Sequence, residues 1–194
     1  MKLIINRQES NSRGELLLRS FFGWIYILIP HIFLMLFVSI WYAILDFVKF
    51  WVVLFTGKIP ESIYEFQKKF LQWDIRLTAR IMNMRDGYPA IGVRGSDDDA
   101  TIEFDNPEGV KRGLVLVRAL FGAVYVGIPH GFILGFYGAA AGFVQFLAWW
   151  VILFTGKYPE SMFDFVMGYL RWSMRVSLYL SYYSDDYPPF SGKE

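Results

Sequence analysis

The stretch LFTGKIPES runs from Leu54 to Ser62, and the chain spells it again as LFTGKYPES from Leu153 to Ser161. The two stretches begin 99 residues apart. At that offset residues 13–89 align with residues 112–188 without a gap, and roughly 30 of the 77 pairs are identical. Self-similarity at a fixed spacing over most of a chain indicates a tandem duplication.

Each copy of the stretch has the features of a corner between two helices. An apolar segment ends at a glycine, which readily takes the left-handed conformation of a helix C-cap. A proline three residues later suits the first position of a new helix. The lysine between them can reach lipid headgroups while its stem covers apolar surface. These corner residues are Gly57, Lys58 and Pro60 in the first copy and Gly156, Lys157 and Pro159 in the second.

Two long apolar segments precede the corners. Between residues 21 and 57 the only charged residues are Asp46 and Lys49, and between residues 119 and 156 there is none. Each segment has about 36 residues, well beyond the roughly 18 that indicate a membrane-spanning helix. The composition agrees with membrane insertion, because 55% of the residues are hydrophobic. The chain contains no cysteine, which excludes disulfides. The sequence therefore predicts an all-α integral membrane protein of the cell (inner) membrane.

The apolar segments are too long for simple spans. A straight helix of about 36 residues would be roughly 54 Å long, whereas the hydrocarbon core of a bilayer is about 30 Å thick. Pro30 and Pro129 therefore predict a break in each segment. One arrangement is a short interfacial helix followed by a single span, which would make the two copies inverted, as in many transporters. The other is a membrane hairpin that enters and leaves on one face, and the two identical exit corners favour it.

After each corner the pattern predicts a basic amphipathic helix that lies at the membrane interface. Its basic residues are predicted to contact lipid headgroups or a neighbouring subunit. They are Lys68, Lys69, Arg76 and Arg80 in the first copy and Arg171 and Arg175 in the second. Two pairs present in both copies, Arg76/Arg175 and Asp86/Asp185, are candidates for a shared role, such as an arginine bound to helix-end carbonyls or to an aspartate.

Four polar residues within the apolar segments are further candidates for function. His31 and His130 both follow Ile-Pro, and their imidazoles are expected to satisfy backbone carbonyls freed by the proline, with a proton or metal role as the alternative. Asp46 and Lys49 can pair on one helix face, but the second copy does not keep them. Two histidines without a carboxylate at fitting spacing predict no metal site. The sequence shows no nucleophile–base pair, so neither an enzyme nor a cofactor is expected.

The duplication sets the domain organisation. Short segments with alternating apolar and polar residues, at 2–6 and 101–105, are predicted to be β-strands that pair outside the membrane. The predicted units are a polar N-terminal segment (1–12), membrane repeat 1 (13–89), a solvated linker (90–111), membrane repeat 2 (112–190) and a tail (191–194).

The second copy carries a series of motifs in a characteristic order. They are Ile128-Pro129-His130, the corner from Leu153 to Pro159, Arg-Trp-x-x-Arg from Arg171 to Arg175, and DDYPPF from Asp185 to Phe190. This series resembles a prokaryotic membrane family catalogued only as a domain of unknown function. The first copy departs from it at Ile59, Gln72 and Ala90. The resemblance implies the membrane architecture and brings no established activity.

The leading hypothesis is a non-catalytic, lipid-embedded scaffold or accessory subunit. Its expected partners are membrane lipids and either further copies of the chain or other membrane-protein subunits. One alternative is a small transporter or channel subunit built on inverted repeats, with His31, His130 and Asp46 near a pathway. A second alternative is a hairpin wedge that curves the membrane. The net charge of +1 gives no case for nucleic-acid binding.

Overall fold

A computed structural model describes residues 1–193 of the chain. Both repeats follow the same order of a strand, a helix, a π-helical turn and two further helices. The first set is β1 (Lys2–Ile5), α1 (Arg13–Gly23), α2 (Ile29–Thr56) and α3 (Glu61–Ile81). The second is β2 (Ala100–Glu103), α4 (Arg112–Gly122), α5 (Ile128–Thr155) and α6 (Glu160–Leu180). The π turns are Trp24–Leu28 and Ala123–Gly127.

The helices before each corner join into two long helical arms. The first arm is Arg13–Thr56 and the second arm is Arg112–Thr155, each of 44 residues. Both are long and apolar enough to cross a membrane. In the most apolar part of each arm, only 11% and 17% of the residues are buried within the molecule. The arms therefore present their apolar side chains outward instead of enclosing them in a core.

Helical hydrogen bonding continues through each proline, and the break predicted at Pro30 and Pro129 takes the form of a π turn directly before the proline. Proline has no N–H, and its ring crowds the carbonyl four residues earlier in a regular α-helix. Here a π turn precedes each proline, and the N–H of Ile29 donates to the carbonyl of Trp24, five residues back. Ile128 makes the same bond to Ala123. The wider turn accommodates the proline, and the helix continues.

Each arm leaves a common polar layer and returns to it. The layer comprises the two strands, the linker, and the segments that follow α3 and α6. At the start of the first arm, Ser12 donates its N–H to Asp86 of this layer (2.6 Å), and beyond its end Ile59 accepts from Asn106 (3.2 Å). In between, most side chains from Ile32 to Trp41 are exposed. The middle of the arm therefore presents most of its side chains outward, while His31 and Tyr42 on either side of it contact α3.

The two short strands predicted from the sequence are present and form one antiparallel pair. Leu3 lies opposite Ile102 and Ile5 lies opposite Ala100, and these four side chains join the main core. The second strand covers residues 100–103 instead of the predicted 101–105. The pairing brings the segment before the first repeat and the linker before the second repeat into contact.

α3 and α6 lie between the arms and the polar layer. α3 packs on β2, and α6 packs along α5. The arc of α3 expected to face lipid instead packs inside the molecule, with Trp73 and Leu77 buried. In α6, Trp172 and Val176 are buried in the same way, whereas Phe165 remains exposed. Part of the amphipathic face of α3 therefore covers the protein's own arm, where Trp73 contacts His31, while Phe66, Phe70 and Ile81 remain partly exposed.

Candidate functional site

The two corners have the predicted backbone geometry. Gly57 and Gly156 adopt φ angles of 72° and 73° and end α2 and α5. Their N–H groups donate to the carbonyls four residues earlier, at 2.8 Å and 2.7 Å. Pro60 and Pro159 are the N-caps of α3 and α6, one position before the predicted one. The repeated stretch thus ends each arm and starts the helix that packs beneath it.

Each corner is bonded to the entry of the other repeat, a contact that no local sequence pattern predicts. The carbonyl of Gly57 accepts from the N–H of Val110, and that of Gly156 accepts from Asn11, both at 2.7 Å. The arginines that begin the arms add further bonds, from Arg112 to the Thr56 carbonyl (3.4 Å) and from Arg13 to the Phe154 carbonyl (2.9 Å). The two repeats therefore exchange contacts reciprocally, as the two subunits of a symmetric dimer do.

The two histidines occupy identical buried sites. Nε1 of Trp73 donates to Nδ1 of His31 at 2.8 Å, and Nε1 of Trp172 donates to Nδ1 of His130 at 2.9 Å. Both imidazoles are fully buried. The expected role, satisfying carbonyls freed by the proline, is not observed, because Nδ1 is an acceptor and the partner is an indole. An Nδ1 that accepts places the proton of the neutral imidazole on Nε2.

The Nε2 atoms of both histidines are buried without a hydrogen-bond partner among the described residues. The carbonyl of Pro89 lies near His31 but outside hydrogen-bonding geometry. Aromatic rings enclose both sites. Tyr88 lies 5.6 Å from the ring of His31, and Phe190 stacks on His130 at 4.0 Å between ring centres. Each imidazole is therefore enclosed where its arm packs against the helix that follows the corner.

An arginine on each arm joins it to the segment after the amphipathic helix. Arg19 donates to Asp86 at 3.2 Å, and Arg118 donates to Asp185 at 2.5 Å. The second oxygen of each aspartate accepts the N–H at the start of the arm, from Ser12 at 2.6 Å and Lys111 at 2.9 Å. Each carboxylate thus caps a helix and pairs with a buried guanidinium. The sequence identifies the aspartates, but it gives no reason to choose the two arginines beyond their duplication.

Arg76 and Arg175 bind carbonyls of the chain itself. Arg76 donates to the carbonyls of Ala90 (3.3 Å) and Gly92 (2.8 Å), and Arg175 donates to that of Ser191 (3.1 Å) and to that of Lys193. Each arginine thus holds the segment that follows its own repeat. Arg76 is almost fully buried, and burial lowers the pKa of its guanidinium. Arg76 is therefore not positioned to meet a lipid headgroup.

The other predicted basic residues are distributed over several surfaces. Lys58 and Lys157 are exposed at the corners. In α3, Lys68 donates to Tyr64 (3.0 Å), Lys69 pairs with Glu65 (3.7 Å) and Arg80 pairs with Asp97 (2.5 Å). In α6, Arg171 and Arg175 line a cleft beside β1. These basic residues were all predicted to contact lipid headgroups or a neighbouring subunit, but they make different kinds of contact in the structure.

Asp46 and Lys49 form the predicted pair, and it extends into a larger network. Their side chains approach to 2.7 Å, with Lys49 fully buried and Asp46 partly exposed. Lys49 also donates to Gln67 at 2.7 Å, and Tyr183 donates to the same Gln67 oxygen at 2.6 Å. The Lys49 ammonium lies 4.5 Å from the centre of the Tyr183 ring. The network links the first arm, α3 and the segment after α6.

Within residues 1–193, no group of three or more His, Asp or Glu side chains could hold a metal ion. The contacts described above hold the arms, the helices and the polar layer together. The fold and these contacts define a protein with two tandem helical repeats, in which each repeat carries a long apolar arm.

A family model described as a domain of unknown function (DUF4389) matches this chain twice, at residues 17–91 and 116–192. The chain belongs to this family, with one copy of the domain in each repeat. The two matched segments agree with the predicted duplication. Neither the curated proteins nor the solved structures include a match.

Proposed function

We propose that this protein is a non-catalytic membrane scaffold that inserts its two apolar arms into a bilayer from one face. The polar layer, with both strands and the linker, lies on that face and contacts the headgroup region. In this role the protein is a lipid-embedded platform or accessory subunit of an oligomer or larger membrane complex.

The distribution of exposed apolar side chains carries the proposal. Nearly all large exposed apolar residues lie between Leu17 and Phe55 or between Leu116 and Phe154. The exceptions are Met1, Tyr88, Ile91, Phe165, Tyr187 and Phe190. Monomeric soluble proteins rarely expose contiguous apolar patches beyond a few hundred Å². A hydrocarbon environment removes the cost of exposing both arms.

The pairing of the strands supports insertion from one face. β1 precedes the first arm and β2 precedes the second, and the two strands are hydrogen-bonded partners. A bilayer cannot separate two paired strands. The segment after α6 belongs to the same layer, because Asp185 accepts from the Lys111 N–H and the ring of Tyr183 contacts that of Phe104 in the linker, at 5.0 Å between centres. This arrangement favours hairpins over single spans and so argues against inverted repeats.

A scaffold fits the intramembrane polar groups better than a transporter does. A transport pathway needs polar groups that face a cavity or a water-filled route. Here His31 and His130 are fully buried against tryptophan, and Lys49 is fully buried in its network. Insertion of two arms from one face also suits a wedge that curves the membrane, as a consequence of the same architecture.

The first experiment is a topology measurement with single cysteines. The chain contains no cysteine, so Ser10→Cys, Asp98→Cys and Ser191→Cys each give a unique thiol in the polar layer. Intact cells and opened cells are treated with an impermeant thiol reagent. We expect all three sites to react, or to be protected, together. Ile32→Cys, in the middle of the first arm, is the matched control and should resist the reagent in both preparations.

Labelling of Asp98→Cys and Ser191→Cys from opposite faces would contradict the proposal. It would favour a transporter built on inverted repeats. Reaction of Ile32→Cys with the reagent in opened cells would show that the arm is in water. That result would contradict the insertion of the arm into a membrane.

A further inference from the structure

A pocket lies where the turn after α3 meets the second arm. It has a volume of about 490 Å³ and is lined by Asn83, Gly142, Gln145, Phe146, Trp149 and Trp150. Sites for small-molecule ligands usually have volumes of roughly 300–1,000 Å³, so this pocket has room for a small organic molecule. Phe146 and Trp150 are exposed, and the pocket is therefore open to the surroundings of the arm.

The equivalent place, where the turn after α6 meets the first arm, is filled by a side chain of the protein. The 99-residue offset places Tyr182 at the position of Asn83. It also places Phe50 of the first arm at the position of Trp149. The rings of Tyr182 and Phe50 lie 6.3 Å apart between centres, and Tyr182 is only 8% exposed. A phenol ring thus occupies on this side the place that is open beside Asn83.

The pocket results from a change of side chain and not from a change of backbone. Asn83 and Tyr182 both have positive φ angles, of 52° and 69°, so the chain turns in the same way at both places. Trp149 is held at the wall of the pocket, because its Nε1 donates to Ser20 of the first arm at 2.7 Å. Gly142 adds no side chain, and a Cβ there would have open space around it.

The pocket also has an unpaired polar group. The side-chain oxygen of Gln145 is buried without a hydrogen-bond partner among the described residues. On the filled side the counterpart of Gln145 is Asp46. Burial and the charge of Asp46 both raise the pKa of the Tyr182 hydroxyl, so a phenol hydroxyl lies near that counterpart. A buried acceptor without a donor is costly, and a ligand hydroxyl bonded to the amide of Gln145 would remove that cost.

We propose that the pocket binds a phenol-type ring, the group that Tyr182 supplies on the other side, with the ligand hydroxyl bonded to Gln145. Trp149 and Trp150 offer aromatic surface to such a ring, since their own rings lie 4.8 Å apart at nearly right angles. The volume leaves room for an apolar chain on the ring. The ligand class is therefore a phenol or a lipid that carries a hydroxylated ring. The proposal goes beyond the scaffold role and does not require that role to be correct.

The test measures the binding of para-fluorophenol to the full-length protein in detergent micelles by fluorine NMR. Protein-free micelles give the non-saturable partition of the ligand, which is subtracted. Asn83→Tyr gives the pocket the side chain of the filled side, and Gly142→Leu fills it from the arm. Gly135→Leu is the matched control, because this glycine of the same helix also has open space around it but does not line the pocket. A second ligand, para-fluorotoluene, lacks the hydroxyl, and Gln145→Leu removes the amide.

We expect saturable binding of para-fluorophenol by the unaltered protein and equally tight binding by Gly135→Leu. Asn83→Tyr and Gly142→Leu should each bind it about tenfold more weakly, because the place of the ring is taken. The unaltered protein should bind para-fluorotoluene more weakly than para-fluorophenol, and Gln145→Leu should abolish this preference for the hydroxyl. If Asn83→Tyr does not fold, the comparison of Gly142→Leu with Gly135→Leu decides the question.

Equal affinities of Gly142→Leu and Gly135→Leu would overturn the proposal, and so would uptake of the phenol by micelle partition alone. Equal binding of the two fluorinated compounds would show that the site does not select a hydroxyl. Light scattering adds a further check, because a dimer that dissociates in Asn83→Tyr would mean that a second copy of the chain fills the pocket, contrary to the proposal. Failure of the scaffold proposal has a separate readout in the topology measurement with single cysteines.

Discussion

Each histidine in this chain is held by a tryptophan 42 positions further on. A buried acceptor that loses its donor keeps the full cost of its desolvation, whereas removal of both partners is much less costly. The duplicated imidazole–indole pair is therefore a sensitive point of attachment between arm and amphipathic helix.

Trp73→Phe should lower the free energy of unfolding in detergent micelles by about 1–3 kcal/mol, because Nδ1 of His31 loses its donor. His31→Leu should be destabilising as well, since it leaves the indole N–H unpaired. The double variant should lose less free energy of unfolding than the two single variants lose together. A double-mutant cycle measures this difference. Trp24→Phe is the control, because Trp24 is exposed and bonds only within its own helix.

Strict additivity of Trp73→Phe and His31→Leu would contradict a direct interaction between the two side chains. The same cycle at His130 and Trp172 should give a coupling of the same sign, because the geometry is repeated.

Prediction from sequence was uneven for single residues. The corner glycines were identified correctly because a glycine directly after a long apolar helix is typical of a C-cap. The histidines were identified as candidates within the apolar segments, but their partner was not predicted, because the tryptophan lies on a different helix. Arg76 was predicted to contact a lipid headgroup or a subunit because it falls on the polar side of an amphipathic helix, whereas the chain returns after α3 and buries it.

At the scale of elements, the corner is the feature that both repeats share most closely. It requires a left-handed glycine, because only this conformation lets α2 end and α3 start within four residues. The carbonyl of that glycine also binds the entry of the other repeat. A change at this position therefore affects both the local turn and the contact between the repeats.

Gly57→Ala and Gly156→Ala should each lower the free energy of unfolding by about 1–2 kcal/mol, because a Cβ is unfavourable at positive φ. Gly135→Ala is the matched control, since Gly135 lies within α5 with open space around it. There alanine should be neutral or stabilising by up to about 1 kcal/mol. Urea or SDS titration in mixed micelles measures all three variants.

Destabilisation by Gly135→Ala as large as that by Gly57→Ala would mean that any side chain on this surface is harmful. The effect could then not be assigned to backbone conformation.

At the scale of the whole molecule, the two repeats contact each other like two subunits but are not interchangeable. The polar network of Lys49, Gln67 and Tyr183 joins the first repeat to the end of the second. At the symmetry-related positions the chain has Ala148, Val166 and Met84, all buried. A pairing of two first repeats would therefore leave a buried lysine facing methionine. We infer that the network favours the pairing of unlike repeats.

Tyr183→Met, which copies the counterpart Met84, should destabilise the protein by about 1–3 kcal/mol, because Gln67 and Lys49 lose a bond and a ring contact. A quadruple variant in which each residue of the network takes its counterpart from the other repeat should be more stable than this single variant, because the buried lysine and its partners are removed together. Its changes are Asp46→Gln, Lys49→Ala, Gln67→Val and Tyr183→Met. The measurement is the free energy of unfolding, with the oligomeric state checked by light scattering.

A single variant as stable as the unaltered protein would show that the network makes no net contribution. A quadruple variant less stable than Tyr183→Met would show that the polar network is favourable in itself and is more than a specificity device.

The sequence alone determined the duplication, the apolar arms, the corners, the following helices and the two short strands. These features depend on local chemistry: an apolar run, a glycine that permits positive φ, a proline that starts a helix, or an alternating pattern. Each can be recognised within a few residues, and the repetition of each 99 residues later reinforces it.

Only the tertiary structure decided how these parts meet. It showed that a π turn carries each helix past its proline, that each corner binds the other repeat, and that Arg76 and Arg175 hold the chain's own carbonyls. These outcomes depend on residues far apart in the sequence, and the side chains that make them have several equally good partners in isolation. Tertiary packing determines which of those partners is used, and a local sequence pattern cannot predict it.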